Sequence, residues 1–288
     1  MKVIAVLITC HNRKKKTIAC LKSLFEAELP SEYKFDVYLV DDSSTDGTSE
    51  AVESEFPIVN VIEGNGLLFW AGGMRLAWKT AIKKQNYDVF LLINDDVRLC
   101  VDFLNNFIKT EKHSIKTKRM KGIYSGATID ENTKKITYGG VNIKTNHLIV
   151  RLESLFPTEY PQYCKLTNAN ILWVNKEVVD KIGIFDVRFT HGIADYEYTL
   201  RASKKHIPVL LAPNICGFCE NDHGNNWKSA NISFKERLAY LKSPTGLAYK
   251  EYLYYIKKNF PLFLPYSFIM LWLKVLFPFF WERYKKKM

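Results

Sequence analysis

Short apolar runs alternate with stretches of helical spacing along the first third of the chain. The apolar runs are Val3–Thr9, Phe35–Val40, Val59–Ile62 and Val89–Ile93. Such runs of about four to eight residues predict strands that are buried on both faces. Apolar residues recur at helical spacing between them, which predicts helices over 16–27 and 48–56 and in the segment that ends at Lys84. Because strands and helices alternate, we predict an α/β fold with a mostly parallel central sheet flanked by helices.

Polar side chains follow three of the predicted strands at their carboxyl ends. They are Thr9 after the first strand, Asp41 and Asp42 after the second, and Asn94, Asp95 and Asp96 after the fourth. Ligands of open α/β sheets bind outside these ends, so the pattern predicts a ligand crevice. Carboxylate oxygens suit Mg²⁺ or Mn²⁺ that carries phosphate groups. The alternative is that Asp95 and Asp96 only form a turn or cap a helix.

The second half of the chain has a less regular pattern. Alternating segments with glycines over 123–150 predict antiparallel strands. Ile171–Val174 and Val209–Ala212 predict two further core strands, and 177–182 predicts a helix between them. Asp195 falls in the first turn of another predicted helix, where an acid also interacts favourably with the helix dipole.

Composition and charge narrow the class of protein. The chain is 47% hydrophobic and 25% charged, which indicates a globular protein, and its net charge of +11 favours anionic partners. Its cysteines do not form the dense framework of a disulfide-rich domain, so we expect reduced thiols. Cys216, Cys219 and His223 are potential zinc ligands, but a fourth is not evident. The apolar run Val3–Ile8 is too short for a signal peptide, and we expect no export.

Four motifs, in this order along the chain, resemble those of the family 2 glycosyltransferases, which have the GT-A fold. They are Thr-Cys-His-Asn-Arg at 9–13, Val-Asp-Asp-Ser-Ser-Thr-Asp-Gly-Thr at 40–48, the loop from Gly64 to Gly73 with Leu-Ile-Asn-Asp-Asp-Val at 92–97, and His-Gly-Ile-Ala-Asp-Tyr-Glu-Tyr-Thr-Leu-Arg at 191–201. The third and fourth are similar to the branch that contains bacterial rhamnosyltransferases and related enzymes of cell-surface polysaccharides. The resemblance covers roughly residues 3–225.

The resemblance implies roles for particular residues. Those of the donor site would be Thr9, Asn12, Arg13, Asp41, Asp42, Gly66, Trp70, Gly72, Gly73 and Asp95. Asp96 would coordinate Mg²⁺ or Mn²⁺ on the donor diphosphate, and His223 would reach the metal or the diphosphate. Asp195 would be the general base. Glu197 would contact the acceptor, and His191 would either bind the acceptor or orient the base. Trp70 would either stack on a sugar or pack in the core.

Two positions depart from the pattern of the family. Asn94 stands at the first position of the usual Asp-x-Asp motif, which removes one carboxylate. We therefore expect weaker metal binding and a less strict metal dependence. Ala194 stands where the family often has Glu, which leaves Asp195 as the candidate base.

We expect the chain to divide near residue 226. Residues 1–226 would form the catalytic domain, with the nucleotide-sugar part over about 1–100 and the acceptor part over about 101–226. Residues 227–288 would form a helical extension that is both apolar and basic.

The end of this extension predicts contact with a surface. Its longest uncharged stretch, Phe260–Leu273, is shorter than the about 20 residues that span a bilayer. Aromatic residues followed by lysines predict that 260–288 contacts an anionic membrane surface. The alternatives are packing onto the catalytic domain or onto the partner of a homodimer.

The leading functional hypothesis is an inverting glycosyltransferase. It would move a hexose or deoxyhexose from a UDP- or dTDP-sugar to a cell-surface polysaccharide or lipid-linked glycan. We expect it in the cytoplasm at the inner face of the plasma membrane, without a nucleic-acid partner. A sugar-nucleotide nucleotidyltransferase is one alternative, but 10–16 lacks the glycine-rich loop it would need. A non-catalytic nucleotide- or membrane-binding protein is another, and the presence of both Asp96 and Asp195 argues against it.

Overall fold

The computed structural model describes residues 1–146, 149–220 and 232–279. Two compact units are present in this part of the chain. The first contains residues 1–186 and the stretch that begins at Asp195, and the second contains 187–194 and the described residues from 232 onward. The predicted boundary near residue 226 lies outside the described residues and stays a prediction.

A mixed sheet forms the centre of the first unit. Its amino-terminal half consists of β1 (Lys2–Cys10), α1 (Lys14–Phe25), β2 (Tyr33–Asp41), α2 (Thr48–Glu55), β3 (Asn60–Glu63), α3 (Phe69–Lys84) and β4 (Val89–Ile93). The remaining elements are β5 (Arg98–Leu99), α4 (Phe103–Lys118), β6 (Ile123–Ile129), β7 (Ile136–Tyr138), β8 (Gly140–Asn146), β9 (Ile149–Ser154), β10 (Gln162–Tyr163), β11 (Leu166–Thr167), β12 (Ile171–Asn175), α5 (Lys176–Ile182), α6 (Ala194–Lys204) and β13 (Val209–Phe218).

The strands follow the order β10-β13-β6-β12-β4-β1-β2-β3. β4, β1, β2 and β3 are parallel to one another, as are β6 and β13. β12 runs antiparallel to both of its neighbours, β4 and β6. β8, β9 and β11 form a separate small sheet with the order β11-β8-β9, whereas β7 and β10 pair with strands of the main sheet. The predicted α/β class and its mostly parallel central sheet are confirmed, and the sheet also contains the antiparallel strands β12 and β10 and the short antiparallel strands β5 and β7.

Helices cover the sheet and bury its strands. β4 is buried along its whole length, as its continuous apolar run predicts. α4 lay outside the sequence-based predictions, and it contributes Phe103 and Phe107 to the core. The ring of Phe107 stacks on that of Trp173 in β12, with centroids 5.7 Å apart. Full burial of such a side chain contributes about 1.5–3 kcal/mol, so α4 stabilises the sheet beneath the site.

The second unit is helical in its carboxyl-terminal part. It contains α7 (Phe234–Lys242), α8 (Tyr249–Asn259), a 3₁₀ turn (Pro261–Phe263) and α9 (Leu264–Leu276). Ser233 and Glu236 form a capping box that satisfies backbone N–H groups at the start of α7. Leu241, Leu271 and Val275 are the centre of its core. Among the described residues, every helix is too short or too polar to cross a membrane.

Candidate active site

The carboxyl ends of β1, β2 and β4 meet at one edge of the sheet. Cys10 lies opposite Asp41 across the β1–β2 pair, and Leu7 lies opposite Leu92 across the β1–β4 pair. Parallel pairing therefore places the polar residues that follow these strands side by side. This is the arrangement of strand ends that the sequence-based prediction of a common crevice requires.

Asp41 and Asp42 are both buried, and each holds a neighbouring loop. Asp41 accepts hydrogen bonds from the backbone N–H of Ser44 at 2.8 Å and the hydroxyl of Ser49 at 2.5 Å. Asp42 accepts three backbone N–H groups, from Gly66 at 2.8 Å, Leu68 at 2.9 Å and Phe69 at 3.0 Å. Both carboxylates are thus engaged within the protein, and their predicted contact with a nucleotide stays a prediction.

Asn12 joins the end of β1 to the turn after β2. Its backbone N–H donates to the hydroxyl of Ser44 at 2.8 Å, and its side-chain oxygen accepts the N–H of Thr45 at 2.7 Å. The backbone at Asn12 has φ of 51°, in the left-handed region that Asn tolerates better than most residues. The loops after β1 and β2 are therefore fixed to one another.

The predicted donor-site glycines have distinct structural surroundings. Gly66 has φ of +78°, a conformation strained for other residues, and this turn directs its N–H toward Asp42. A Cβ at Gly73 in α3 would lie 2.1 Å from Oγ1 of Thr9, so this glycine lets the helix pack directly on β1. A Cβ at Gly72 would lie 3.2 Å from the side chain of Leu68. Gly73 thus explains why Thr9 is buried.

Trp70, in the first turn of α3, reaches the turn after β4. Its Nε1–H donates to Oδ1 of Asn94 at 2.8 Å, and its ring packs against Phe185 with centroids 5.4 Å apart. The backbone N–H of Asn94 donates to the carbonyl of Asn170 at 2.9 Å. Asn94 is therefore held from two sides, and its amide oxygen is engaged by the indole.

Arg13 pairs with the two acids that follow Asn94. Its Nη1 lies 2.7 Å from Oδ2 of Asp96 and 3.4 Å from Oδ1 of Asp95. Burial raises the pKa of Asp95 to about 7, opposed by Arg13 and increased by the neighbouring Asp96. Strongly perturbed carboxylates in a crevice are typical of functional sites.

The oxygen atoms of this acid pair fit a divalent cation. Oδ2 of Asp95 is buried and accepts no hydrogen bond from any residue that the structure describes. A hard cation such as Mg²⁺ or Mn²⁺ would satisfy it. Within residues 1–146, 149–220 and 232–279, no group of three or more His, Cys, Asp or Glu side chains could hold a metal. The acid pair would thus need ligands from phosphate and water, as Mg²⁺ sites often do. His223 lies outside the described residues.

Asp195 lies in the first turn of α6 and is linked to the acid pair by a short segment. Its Oδ2 accepts the backbone N–H of Ala169 at 3.2 Å. The next residue, Asn170, accepts the N–H of Asn94 through its carbonyl. Burial raises the pKa of Asp195 to about 6, while the backbone N–H groups of Tyr196 and Ala169 lower it. The candidate base and the turn that bears the acid pair are therefore held by adjacent residues.

Other predicted site residues are engaged elsewhere or lie in the second unit. Glu197 is buried and forms an ion pair with Arg201, whose Nη2 lies 3.1 Å from it. Arg201 also donates to the carbonyls of Ile182 and Ile184, so this pair anchors α6. His191 belongs to the second unit. The acceptor roles of Glu197 and His191 stay predictions.

Sequence reasoning missed several residues around the acid pair. The thiol of Cys219, at the end of β13, donates to Oδ1 of Asp96 at 3.6 Å, and that of Cys20 donates to the carbonyl of Asn94 at 3.4 Å. Asn170 donates to Cys219 at 3.7 Å. The signal that could have found Asn170 is its place just before β12, since the start of an antiparallel strand lies at the same edge as the ends of its parallel neighbours.

Comparison with known proteins finds a family match in the amino-terminal part of the chain. Residues 5–114 match the family model described as Glycosyl transferase family 2. The predicted resemblance to this family is confirmed over these residues. The match includes the first three motifs of this glycosyltransferase family, among them the acid pair Asp95–Asp96. No curated protein sequence matches the chain significantly.

Solved glycosyltransferases share the fold. The mannosyltransferase PcManGT from Pyrobaculum calidifontis, in complex with GDP-Man and Mn²⁺, superposes with a TM-score of 0.53 at 16% identity, over 91% of this chain and 72% of that chain. GalNAc-T7 with UDP, GalNAc and Mn²⁺ gives 0.56 at 13% identity, over 84% of this chain. This chain spans only 50% of the GalNAc-T7 chain. At these identities the likeness shows the fold, and the predicted GT-A fold is confirmed.

Proposed function

We propose that the protein transfers a sugar from a nucleotide diphosphate donor to a glycan hydroxyl with inversion at the anomeric carbon. The observation that carries this proposal is the link from Asp195 through Ala169 and Asn170 to the turn that bears Asp96. A direct displacement needs a base for the acceptor hydroxyl and a group that stabilises charge on the leaving diphosphate. The link fixes the distance between Asp195, the proposed base, and the turn that bears Asp96.

Asp195 is the proposed general base. A carboxylate with a pKa of about 6 is ionised near neutral pH yet more basic than an ordinary aspartate. It would accept the proton of the acceptor hydroxyl as the oxygen attacks the anomeric carbon, work typically worth about 10²–10⁴ in rate. Its hydrogen bonds to Ala169 and Tyr196 fix the carboxylate, so its orientation does not depend on the acceptor.

The donor site is proposed at the edge formed by β1, β2 and β4. Asp96 and Asp95 would hold Mg²⁺ or Mn²⁺, which when bound neutralises charge on the diphosphate. Support comes from the buried Oδ2 of Asp95 and from the two related structures, which contain Mn²⁺ together with GDP-Man in one and with UDP and GalNAc in the other. We propose a UDP- or dTDP-linked hexose or deoxyhexose as donor, with Thr9, Asn12 and Arg13 among its contacts.

We propose that the acceptor is a cell-surface polysaccharide or a lipid-linked glycan. The protein would reach it from the cytoplasmic face of the membrane. Support comes from the exposed apolar face of the carboxyl-terminal helices. Leu262 is 91% exposed, and Phe268, Ile269, Leu276 and Phe279 are also exposed. Beside them lies an apolar pocket of about 600 Å³ between α8 and α9. Such a surface beside lysines favours anionic lipid, each basic residue adding about 1 kcal/mol.

A donor screen tests the catalytic proposal. The purified protein is heated with UDP-, dTDP- and GDP-sugars, each with and without Mn²⁺, because a bound donor raises the Tm by mass action. The donor that raises it is then incubated with candidate acceptors, and free nucleoside diphosphate is measured. Donor-dependent release that rises with acceptor is expected. Release of pyrophosphate from a nucleoside triphosphate and a sugar phosphate would favour a nucleotidyltransferase instead.

Flotation with vesicles tests the membrane proposal. The wild type should float with vesicles that contain anionic lipid more than with purely zwitterionic ones. Replacing Phe268 and Ile269 by Ser should reduce flotation severalfold. Ile58→Ser is the matched control, because Ile58 is 72% exposed but lies in the first unit. Equal flotation of the double variant and the wild type would exclude this surface as the contact.

A further inference from the structure

The guanidinium of Arg13 is the counter-charge of the acid pair. One nitrogen, Nη1, bridges the two carboxylates at 2.7 Å from Asp96 and 3.4 Å from Asp95. The side chains of Asp95 and Asp96 are 8% and 13% exposed, whereas that of Arg13 is 43% exposed. Buried carboxylates without a counter-charge are strongly destabilising. The arginine therefore stabilises two acids whose own solvation is largely lost.

The two carboxylates that Arg13 contacts are those that would bind the divalent cation, which would also satisfy the buried Oδ2 of Asp95. Arg13 contacts Oδ2 of Asp96 and Oδ1 of Asp95, and Oδ1 of Asp96 faces the thiol of Cys219. A thiol is a weak hydrogen-bond donor and brings no positive charge. A guanidinium and a divalent cation repel each other strongly at such short distances in partly buried surroundings. Full occupancy of both positions at once is therefore disfavoured.

The position of Arg13 allows it to leave the acids. It immediately precedes α1, and its side chain is the exposed member of the pair, so it can turn outward without disturbing the core. An arginine released beside a bound diphosphate has a new partner, since guanidinium groups bind phosphate oxygens well. Arg13 can therefore leave the two acids and contact the donor phosphates instead.

We propose that Arg13 is an exchangeable counter-ion that neutralises Asp95 and Asp96 in the empty site and leaves them when Mg²⁺ or Mn²⁺ binds. This inference rests on the cation site of the proposed function. It makes Arg13 a competitor of the cation, which weakens metal binding to the free protein. Metal and donor then bind cooperatively, because the donor phosphates offer the displaced guanidinium another partner.

Mn²⁺ binding without nucleotide tests the exchange. Free Mn²⁺ is measured by electron paramagnetic resonance with the wild type, Arg13→Ala and Arg13→Gln, and folding is checked by thermal denaturation. Both neutral variants should bind Mn²⁺ about tenfold more tightly, because a nearby like charge is removed. Arg13→Lys should bind close to the wild-type value. Lys22→Ala is the matched control, because Lys22 also lies on α1 but pairs with Glu55, and it should change binding much less.

The result for Asp96→Asn separates the two proposals. If Asp96→Asn loses Mn²⁺ binding while Arg13→Ala and Arg13→Gln bind no more tightly than the wild type, the exchange is wrong and the cation site stands. If Asp96→Asn binds Mn²⁺ as the wild type does, the cation lies elsewhere and both assignments fail. Undetectable binding by the neutral Arg13 variants would also overturn the exchange.

Discussion

The indole Nε1–H of Trp70 donates a hydrogen bond of 2.8 Å to the side-chain oxygen of Asn94. This bond joins the first turn of α3 to the turn that carries the acid pair. The indole can only donate, so it would bond equally well to a carboxylate at position 94. Trp70 therefore does not require asparagine at position 94. We expect a carboxylate there to change cation binding rather than the fold.

Asn94→Asp should therefore fold normally and strengthen cation binding. The added carboxylate supplies one more hard oxygen ligand and one more negative charge beside Asp95 and Asp96. We expect the Mn²⁺ concentration for half-maximal binding to fall severalfold, with a Tm close to that of the wild type. Trp70→Phe is the control, because it removes the hydrogen bond between Trp70 and Asn94. Loss of this bond should lower the free energy of unfolding by about 1 kcal/mol. Weaker Mn²⁺ binding by Asn94→Asp would contradict this prediction.

Asp195→Asn should abolish most activity and leave the protein folded. The N–H groups of Ala169 and Tyr196 donate to different oxygens of Asp195, so the amide oxygen can accept only one of them, and the amide cannot take up a proton. We expect transfer to fall by about 10²–10⁴. In the wild type, the rate with saturating donor should rise with pH through about 6, where Asp195 loses its proton. A variant with wild-type nucleotide release would remove Asp195 as the base.

The same substitution should change how stability depends on pH. The pKa of Asp195 is raised to about 6 in the folded protein, above the ordinary value of about 4. Between these values the folded state binds more protons than the unfolded state, so the free energy of unfolding falls as pH rises. Asp195→Asn has no carboxyl group at this position, so its free energy of unfolding does not fall with pH for this reason. Its Tm relative to the wild type should therefore be higher above about pH 6 than below about pH 4, as thermal scans across this range would report.

Gly73→Ala should destabilise the fold, and Gly72→Ala should not. A Cβ at position 73 would lie 2.1 Å from Oγ1 and 2.8 Å from Cβ of Thr9, whereas one at 72 would lie 3.2 Å from Leu68. Overpacking of this kind costs about 1–3 kcal/mol. At position 72 the higher helix propensity of Ala, worth about 1 kcal/mol, offsets the closer contact. Urea unfolding of the two variants measures the difference in their free energies of unfolding. Equal midpoints would show that α3 can move away from β1 at little cost.

Asp42→Ala should weaken both the fold and donor binding. It leaves the N–H groups of Gly66, Leu68 and Phe69 without their acceptor, and each unmet buried group costs about 1–3 kcal/mol where water cannot replace it. The loop before α3 should then loosen, so a donor should raise the Tm less than in the wild type. Asp102→Ala, a change of the same type at an exposed position, should leave both properties unchanged.

The parallel half of the sheet and its polar edge were predictable from sequence, because continuous apolar runs ended in polar residues at three strands, and in acids at two of them. α4 was not predicted, although its Phe103 and Phe107 complete the core. The reversed direction of β12 was not predicted either, since apolar pattern does not encode strand direction. For that reason Asn170 was overlooked.

The partners of the predicted site residues were also beyond sequence reasoning. The expectation that Asp41 and Asp42 face a ligand came from their place at a strand end. Which N–H groups they accept depends on the path of the loops that contain Ser44 and Gly66, and on long-range folding. Likewise the sequence placed Arg13 near a nucleotide, whereas its pairing with Asp96 depends on how β1 and β4 adjoin.

The bond from Ala169 to Asp195 and the bond from Asn94 to Asn170 involve consecutive residues. Consecutive Cα atoms are about 3.8 Å apart across a trans peptide, whatever the surroundings. The spacing between Asp195 and the turn that bears Asp95 and Asp96 is therefore governed by two hydrogen bonds to consecutive residues rather than by the packing of surface loops. In the proposed enzyme, the loops that select the sugar or the acceptor can diverge in sequence and length while this spacing stays constant.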